Sequence, residues 1–152
     1  MSIIRSIANG IGTVVGFFFE EPRVARYVAV AESAGGLTIP DAANPQSDRH
    51  LQNIHAPGLL NGSLPVILFR TRHTGRPAFS VRLNAVRLTQ HTFADVGPNS
   101  WHEIVPAGAL KPQDNELTLN VTGPGDVTFS DVVILYTSDK LTVTRPAVLD
   151  PT

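Results

Sequence analysis

From residue 65 onward, apolar and polar residues alternate in short runs, and nearly every run is closed by glycine, proline or asparagine. A repeat of two puts every apolar side chain of a run on one side of an extended backbone, and the breakers forbid the longer runs that a helix needs. The 12 Gly and 12 Pro of the 152-residue chain match that punctuation. Residues 66–72 read as a strand closed by Thr74, Gly75, Arg76 and Pro77. Residues 78–88 read as another, with Phe79, Val81 and Leu83 on one face and Ser80, Arg82 and Asn84 on the other. After a turn at 96–99 come residues 101–105, then a longer connection over 106–115. Residues 116–122 alternate Leu117, Leu119 and Val121 against Thr118, Asn120 and Thr122. The turn at 123–126 leads into residues 127–136, whose run Val132, Val133, Ile134, Leu135, Tyr136 predicts a strand covered on both sides. Residues 141–144 close the set, and residues 20–32 supply an earlier strand in which Val24, Arg26, Val28 and Val30 oppose Arg23, Ala25, Tyr27 and Ala29.

This spacing predicts an all-β fold, a β-sandwich or jelly roll of about eight antiparallel strands. Residues 20–152 then form one sandwich domain, preceded by an apolar N-terminal arm or helix over 1–19. Between residues 33 and 64 the pattern dissolves into Gly, Pro, Asn, Asp and Ser, which predicts a long loop with one helical turn near residues 49–54. Long connections without structure of their own are usually functional or mobile, so this loop is a first candidate for binding.

In residues 3–19, Ile3, Ile7, Ile11, Val14 and Phe18 share one face at helical spacing, with Ser6, Asn9 and Thr13 elsewhere. Two readings follow: a segment docked on its own domain, or an oligomer interface in which those five residues bind a neighbouring copy. Contact with a membrane surface is a third. No stretch reaches the roughly 18 to 20 apolar residues of a membrane span, and no clear signal peptide is present, which leaves the location of the protein open. Gly10, Gly12 and Gly16 superficially match a dinucleotide-binding loop, but no strand precedes them and no βαβ pattern follows.

The absence of cysteine excludes disulfides, thiol nucleophiles, iron–sulfur clusters and cysteine-based zinc sites. No H-E-x-x-H or comparable spacing unites the five His, so no metal site is expected from them. The serines lack a nucleophile elbow, and no catalytic residue is assigned. The net charge of −1 conceals a cancellation. Residues 1–48 hold three Arg and five acids, residues 49–94 six Arg and no acid, and residues 95–152 three bases and eight acids. Such segregation has two readings: oppositely charged strands paired in one sandwich, or an arginine face awaiting an anion. Nucleic acid is not the expected partner, because no aromatic-basic motif accompanies the arginines.

Residues 79–136 resemble the second half of galactose-binding-like jelly-roll modules, found as carbohydrate-binding domains beside glycoside hydrolases. The matching stretches are FSVRLNAVRL, with Asn84 at a short turn; WHEIVPAGALKP, opening at Trp101; NELTLNV, from Asn115; and FSDVVILY, ending at Tyr136. The resemblance implies a non-catalytic, carbohydrate-binding module without a cofactor, in which a structural calcium ion is a possibility. For an acidic or small sugar, Arg70, Arg72, Arg82 and His73 are the candidate ligand residues, since arginine grips a carboxylate through two parallel hydrogen bonds. Trp101 is a candidate stacking platform, weighed against a place at the edge of the core. The alternative class is a structural or assembly subunit, a homo-oligomer joined through the arm.

Overall fold

The computed structural model describes residues 24–31, 35–94 and 97–139. The arm residues Ile3, Ile7, Ile11, Val14 and Phe18 and the strand expected at 141–144 lie outside the described residues.

Among the described residues nine strands form: β1 (Val24–Ala31), β2 (Leu37–Ile39), β3 (Asp48–Ile54), β4 (Val66–Gly75), β5 (Ala78–Leu83), β6 (Val86–Thr92), β7 (Asn99–Ile104), β8 (Asn115–Thr122) and β9 (Gly125–Ser138). They build a five-stranded sheet in the order β1-β9-β4-β7, with β2 also paired to β9, and a four-stranded sheet in the order β3-β8-β5-β6. Every pairing is antiparallel. The expectation of a β-sandwich is met.

The alternation read in the sequence is what packs the two sheets together. Phe79, Val81 and Leu83 of β5, Leu117, Leu119 and Val121 of β8, Ile67 and Phe69 of β4, and Val127, Phe129 and Ile134 of β9 are all buried between the layers. Each such side chain removed from water contributes about 1.5–3 kcal/mol. At the centre, Phe69, Phe79 and Phe129 meet edge-on or tilted, with ring centroids 5.6 to 6.1 Å apart, the arrangement that aromatic quadrupoles favour.

The region 33–64 is corrected in two places. It contains β2 and β3, and residues 49–54 are part of strand β3 rather than a helical turn. The β3 sequence, DRHLQNI, carries little apolar alternation because it is an edge strand; pairing with β8 at Asp48↔Asn120, Arg49↔Leu119, His50↔Thr118 and Leu51↔Leu117 makes it extended. The stretch 78–88, read as one strand, is the hairpin β5-β6, which turns at Asn84 with φ of 53° and pairs Leu83 with Val86. Asparagine accepts that left-handed backbone more readily than most residues.

The longer connection over 106–114 is held down by two asparagines. Buried Asn115 donates through Nδ2 to the carbonyls of Ile54 (2.9 Å) and Lys111 (2.7 Å). Its Oδ1 accepts from the Lys111 amide (2.7 Å) and from Asn84 Nδ2 (3.1 Å). Asn84 in turn donates to the Ala109 carbonyl (2.7 Å) and accepts from the Glu116 amide (3.0 Å). Every polar atom of the Asn115 side chain is thus satisfied, which a buried amide requires.

Candidate functional site

The sandwich has two lateral edges, and they are built differently. At one, β6 faces β7, and rings close the gap: His91 lies 4.8 Å from Trp101 and 5.1 Å from Phe93, whose ring stacks on His73 at 4.0 Å. At the other, β1 faces β3, and a groove of about 410 Å³ remains. Val28, Val30, Leu51 and Ile54 give it apolar walls, while His50, Gln52, Asn53 and His55 bring polar groups. An apolar concavity with a few convergent polar groups is the usual form of a small-ligand site.

Those polar groups are oriented by their neighbours. His50, Gln52 and Asp48 alternate outward along β3 and meet Glu116, Thr118 and Asn120 of β8. His50 Nδ1 lies 2.9 Å from Glu116 Oε1, and its Nε2 lies 3.1 Å from Asp48 Oδ2. Gln52 Nε2 donates to Glu116 Oε2 at 3.0 Å, and Thr118 Oγ1 donates to Glu116 Oε1 at 3.2 Å. Glu116 first and Asp48 second stabilise the imidazolium, so the His50 pKa is raised. The same contact with His50, followed by the Gln52 amide, lowers the pKa of Glu116. Both effects are hydrogen bonds to the charged forms.

From this rim the outer face of the four-stranded sheet continues without an apolar break. One row runs Asp48, Asn120, Ser80, Gln90, and the next runs His50, Thr118, Arg82, Arg87. Arg87 donates to Gln90 Oε1 at 3.0 Å. Arg82 makes no side-chain hydrogen bond or ion pair among the described residues, although Arg87 stands directly across from it.

The five ligand residues expected from the sequence are not brought together. Arg70 and Arg72 project from the outer face of the five-stranded sheet, whereas Arg82 projects from the opposite side of the sandwich. Arg70 pairs with Asp131 at 3.3 Å, and both are exposed. His73 stacks on Phe93, and its Nδ1 lies 3.2 Å from the Gly75 carbonyl oxygen. Trp101 turns inward, stacks on Phe69 with centroids 6.1 Å apart and donates through Nε1 to buried Thr71 Oγ1 at 2.8 Å. It is a core-edge residue, with its indole N–H satisfied as burial demands. The alternation of strand residues 70, 72 and 82 was legible, but which sheet each strand joins was not. The sequence marks the rim residues His50, Gln52 and Glu116 only by polar alternation at 48, 50 and 52, interrupted by Arg49 and Asn53 where apolar partners would complete a strand pattern.

Charge segregation is resolved in part. Arg49 lies 3.8 Å from Asp41 and donates to the carbonyls of Asn44, Gln46 and Asp48. Arg49 and Arg70 therefore pair with acids from outside the basic block, while Arg82 has no acidic partner among the described residues. Among the described residues no group of three or more His, Asp or Glu is arranged to hold a metal ion, so the calcium ion implied by the resemblance has no carboxylate cluster there. No helix among the described residues is long and apolar enough to cross a membrane.

No family model matches the sequence, and no curated protein matches it. Among solved structures, dimeric latent PorU from Porphyromonas gingivalis is similar with a TM-score of 0.55 and 11% identity, over 77% of this chain and 13% of that one. The likeness is one of fold, and the chain spans only that small share of PorU. Carbohydrate-binding modules are also similar. The CBM36-1 domain of a multidomain xylanase from the hindgut metagenome of Trinervitermes trinervoides has a TM-score of 0.45 at 9% identity, over 74% of this chain and 96% of its own. A CBM36 module in complex with calcium and xylotriose has a TM-score of 0.42 at 15% identity, over 74% and 99%.

Proposed function

We propose that the chain is a non-catalytic binding module whose ligand is a carbohydrate, held in the β1/β3 groove and over the adjoining outer face of the four-stranded sheet. The observation that carries this reading is the groove with its preset rim: apolar walls from Val28, Val30, Leu51 and Ile54, and His50 and Gln52 fixed in place by Glu116. A sugar ring offers C–H surface on its faces and hydroxyls around its edge, and this pairing of walls and planar polar groups complements both. Groups already held by neighbours lose little freedom when a ligand arrives. Arg82, which makes no side-chain hydrogen bond or ion pair among the described residues, offers its guanidinium to a ligand carboxylate, so acidic glycans are the preferred class. The resemblance of residues 79–136 to galactose-binding-like modules supports the same ligand class.

The test is a glycan array probed with the full chain, followed by calorimetry on the retained ligand. Gln52→Ala weakens binding by about tenfold or more, as expected for the loss of an oriented hydrogen bond worth at least about 1.4 kcal/mol, and His50→Ala, whose ring nitrogens are both engaged by Glu116 and Asp48, weakens it less, through the loosened Glu116 that holds Gln52. Arg82→Ala selectively reduces retention of carboxylated glycans, and Arg70→Ala changes nothing. An array with no retained glycan, or a ligand indifferent to Gln52 and His50, overturns the proposal.

A further inference from the structure

In a two-sheet sandwich the outward faces meet water and normally carry polar residues. The four-stranded sheet follows that rule, whereas the five-stranded sheet does not. Its outer face holds a row that crosses four hydrogen-bonded strands: Tyr27 of β1, Leu135 of β9, Val66 of β4 and Ile104 of β7, each directly opposite the next. The adjacent row runs Ala29, Val133, Leu68, His102. Tyr27 is 68% exposed, Ile104 64% and Leu135 38%, and Leu64, just before β4, is 58% exposed. The sequence pattern at 132–136 calls for cover on both sides of β9, yet the described residues cover only one. A contiguous apolar patch of this kind marks a contact surface.

The occupant that fits is attached to the patch. Residues 3–19 contain one charge, Arg5, and no acid, and present Ile3, Ile7, Ile11, Val14 and Phe18 along one side at helical spacing. The two rows they would cover contain no Asp, Glu, Lys or Arg. The segment joins β1, an edge strand of this sheet, through residues 20–23. Tyr27 stands about 10 Å along β1 from Val24, within reach of four linking residues that extend to about 14 Å. Four adjacent strands span about 14 Å, and 17 residues in a helix span about 25 Å, so the segment can cover the whole row. A tether this short also gives an effective concentration in the millimolar range, which a second copy arriving from solution does not have.

We propose that residues 3–19 lie across the outer face of the five-stranded sheet of their own chain, with their apolar side on Tyr27, Leu135, Val66 and Ile104. This cover is distinct from the carbohydrate reading, which concerns the opposite face.

The chain has no cysteine, so engineered pairs report without background. Full-length double variants combine Leu135→Cys with Ile7→Cys, Ile11→Cys or Val14→Cys, and a control set replaces Leu135→Cys by Arg82→Cys on the other face. After oxidation at low micromolar concentration, at least one Leu135 pair should form an intrachain disulfide at monomer mass, in excess of its control. Predominantly interchain products overturn the proposal in favour of a second copy. Cross-linking no greater than in the controls also overturns it. Hydrogen exchange on the unaltered chain provides a second measurement: amides within residues 3–19 should be protected, and Leu135→Asp should abolish that protection while the core strands keep theirs. Random-coil exchange of the segment in the unaltered chain overturns the proposal.

Discussion

The two outward faces of the sandwich come from strands of the same alternating type, but they present opposite chemistry. On the four-stranded sheet the outward positions hold Asp48, His50, Gln52, Glu116, Asn120, Arg82 and Gln90. On the five-stranded sheet the equivalent positions hold Tyr27, Leu135, Val66 and Ile104, with the exposed Arg70–Asp131 pair beyond them. An alternating strand fixes one buried side and leaves the other to selection for something else. The polar face is suited to reversible contact with a hydrated ligand, and the apolar one to lasting contact with protein.

The sharpest way to break this comparison is to truncate neighbours on β9 that point to opposite sides. Ile134→Ala should cost about 2–5 kcal/mol by urea unfolding, since Ile134 is fully buried between the sheets. Leu135→Ala should cost less than half as much; equal costs would mean that the outer face is packed as tightly as the core.

Asn115→Ala tests the support beneath the polar face. It removes two donated and two accepted hydrogen bonds and strands the Ile54 and Lys111 backbone groups, an expected loss of about 2–4 kcal/mol. Backbone exchange should rise first in residues 106–114 and at the end of β3. A uniform loss over both sheets would show that the clamp does not act locally.

A smaller effect comes from pH, and it should be confined to the polar face. The raised pKa of His50 gives stability that is complete below its unfolded value near 6.5 and is lost as pH rises through the higher folded value. The lowered pKa of Glu116 gives stability present above about 4.5 and lost as pH falls through the lower folded value. The β3–β8 edge should therefore be best protected between about pH 4.5 and 6.5, and His50→Gln should flatten the alkaline side of the profile. An NMR titration of His50 with a midpoint at or below 6.5 would contradict this account.

The smallest effect belongs to the charged rim of the apolar face. Arg70→Ala breaks an exposed pair with Asp131 and should change stability by less than about 0.5 kcal/mol. A larger change would identify Arg70 as part of a packed contact on that face.

Much of the fold was legible residue by residue. The inward sets of β5 and β8 could be read directly, because burying Phe79, Val81, Leu83, Leu117, Leu119 and Val121 demands a period of two. β3 could not be read, because an edge strand takes its conformation from its partner and needs little apolar pattern of its own. For the same reason the rim built from His50, Gln52 and Glu116 stayed hidden: Glu116 lies 66 residues from His50 and 64 from Gln52 in the chain.

Local alternation and turn chemistry thus determined that the chain is a β-sandwich and which side of most strands faces the core. Only the tertiary structure decided how the strands are shared between the sheets. That assignment placed Arg70 and Arg82 on opposite faces, turned Trp101 into the core edge and joined four apolar side chains into one exposed row. Burial acts on each residue separately and leaves its mark in the sequence, whereas the company that an outward side chain keeps depends on pairings between distant strands.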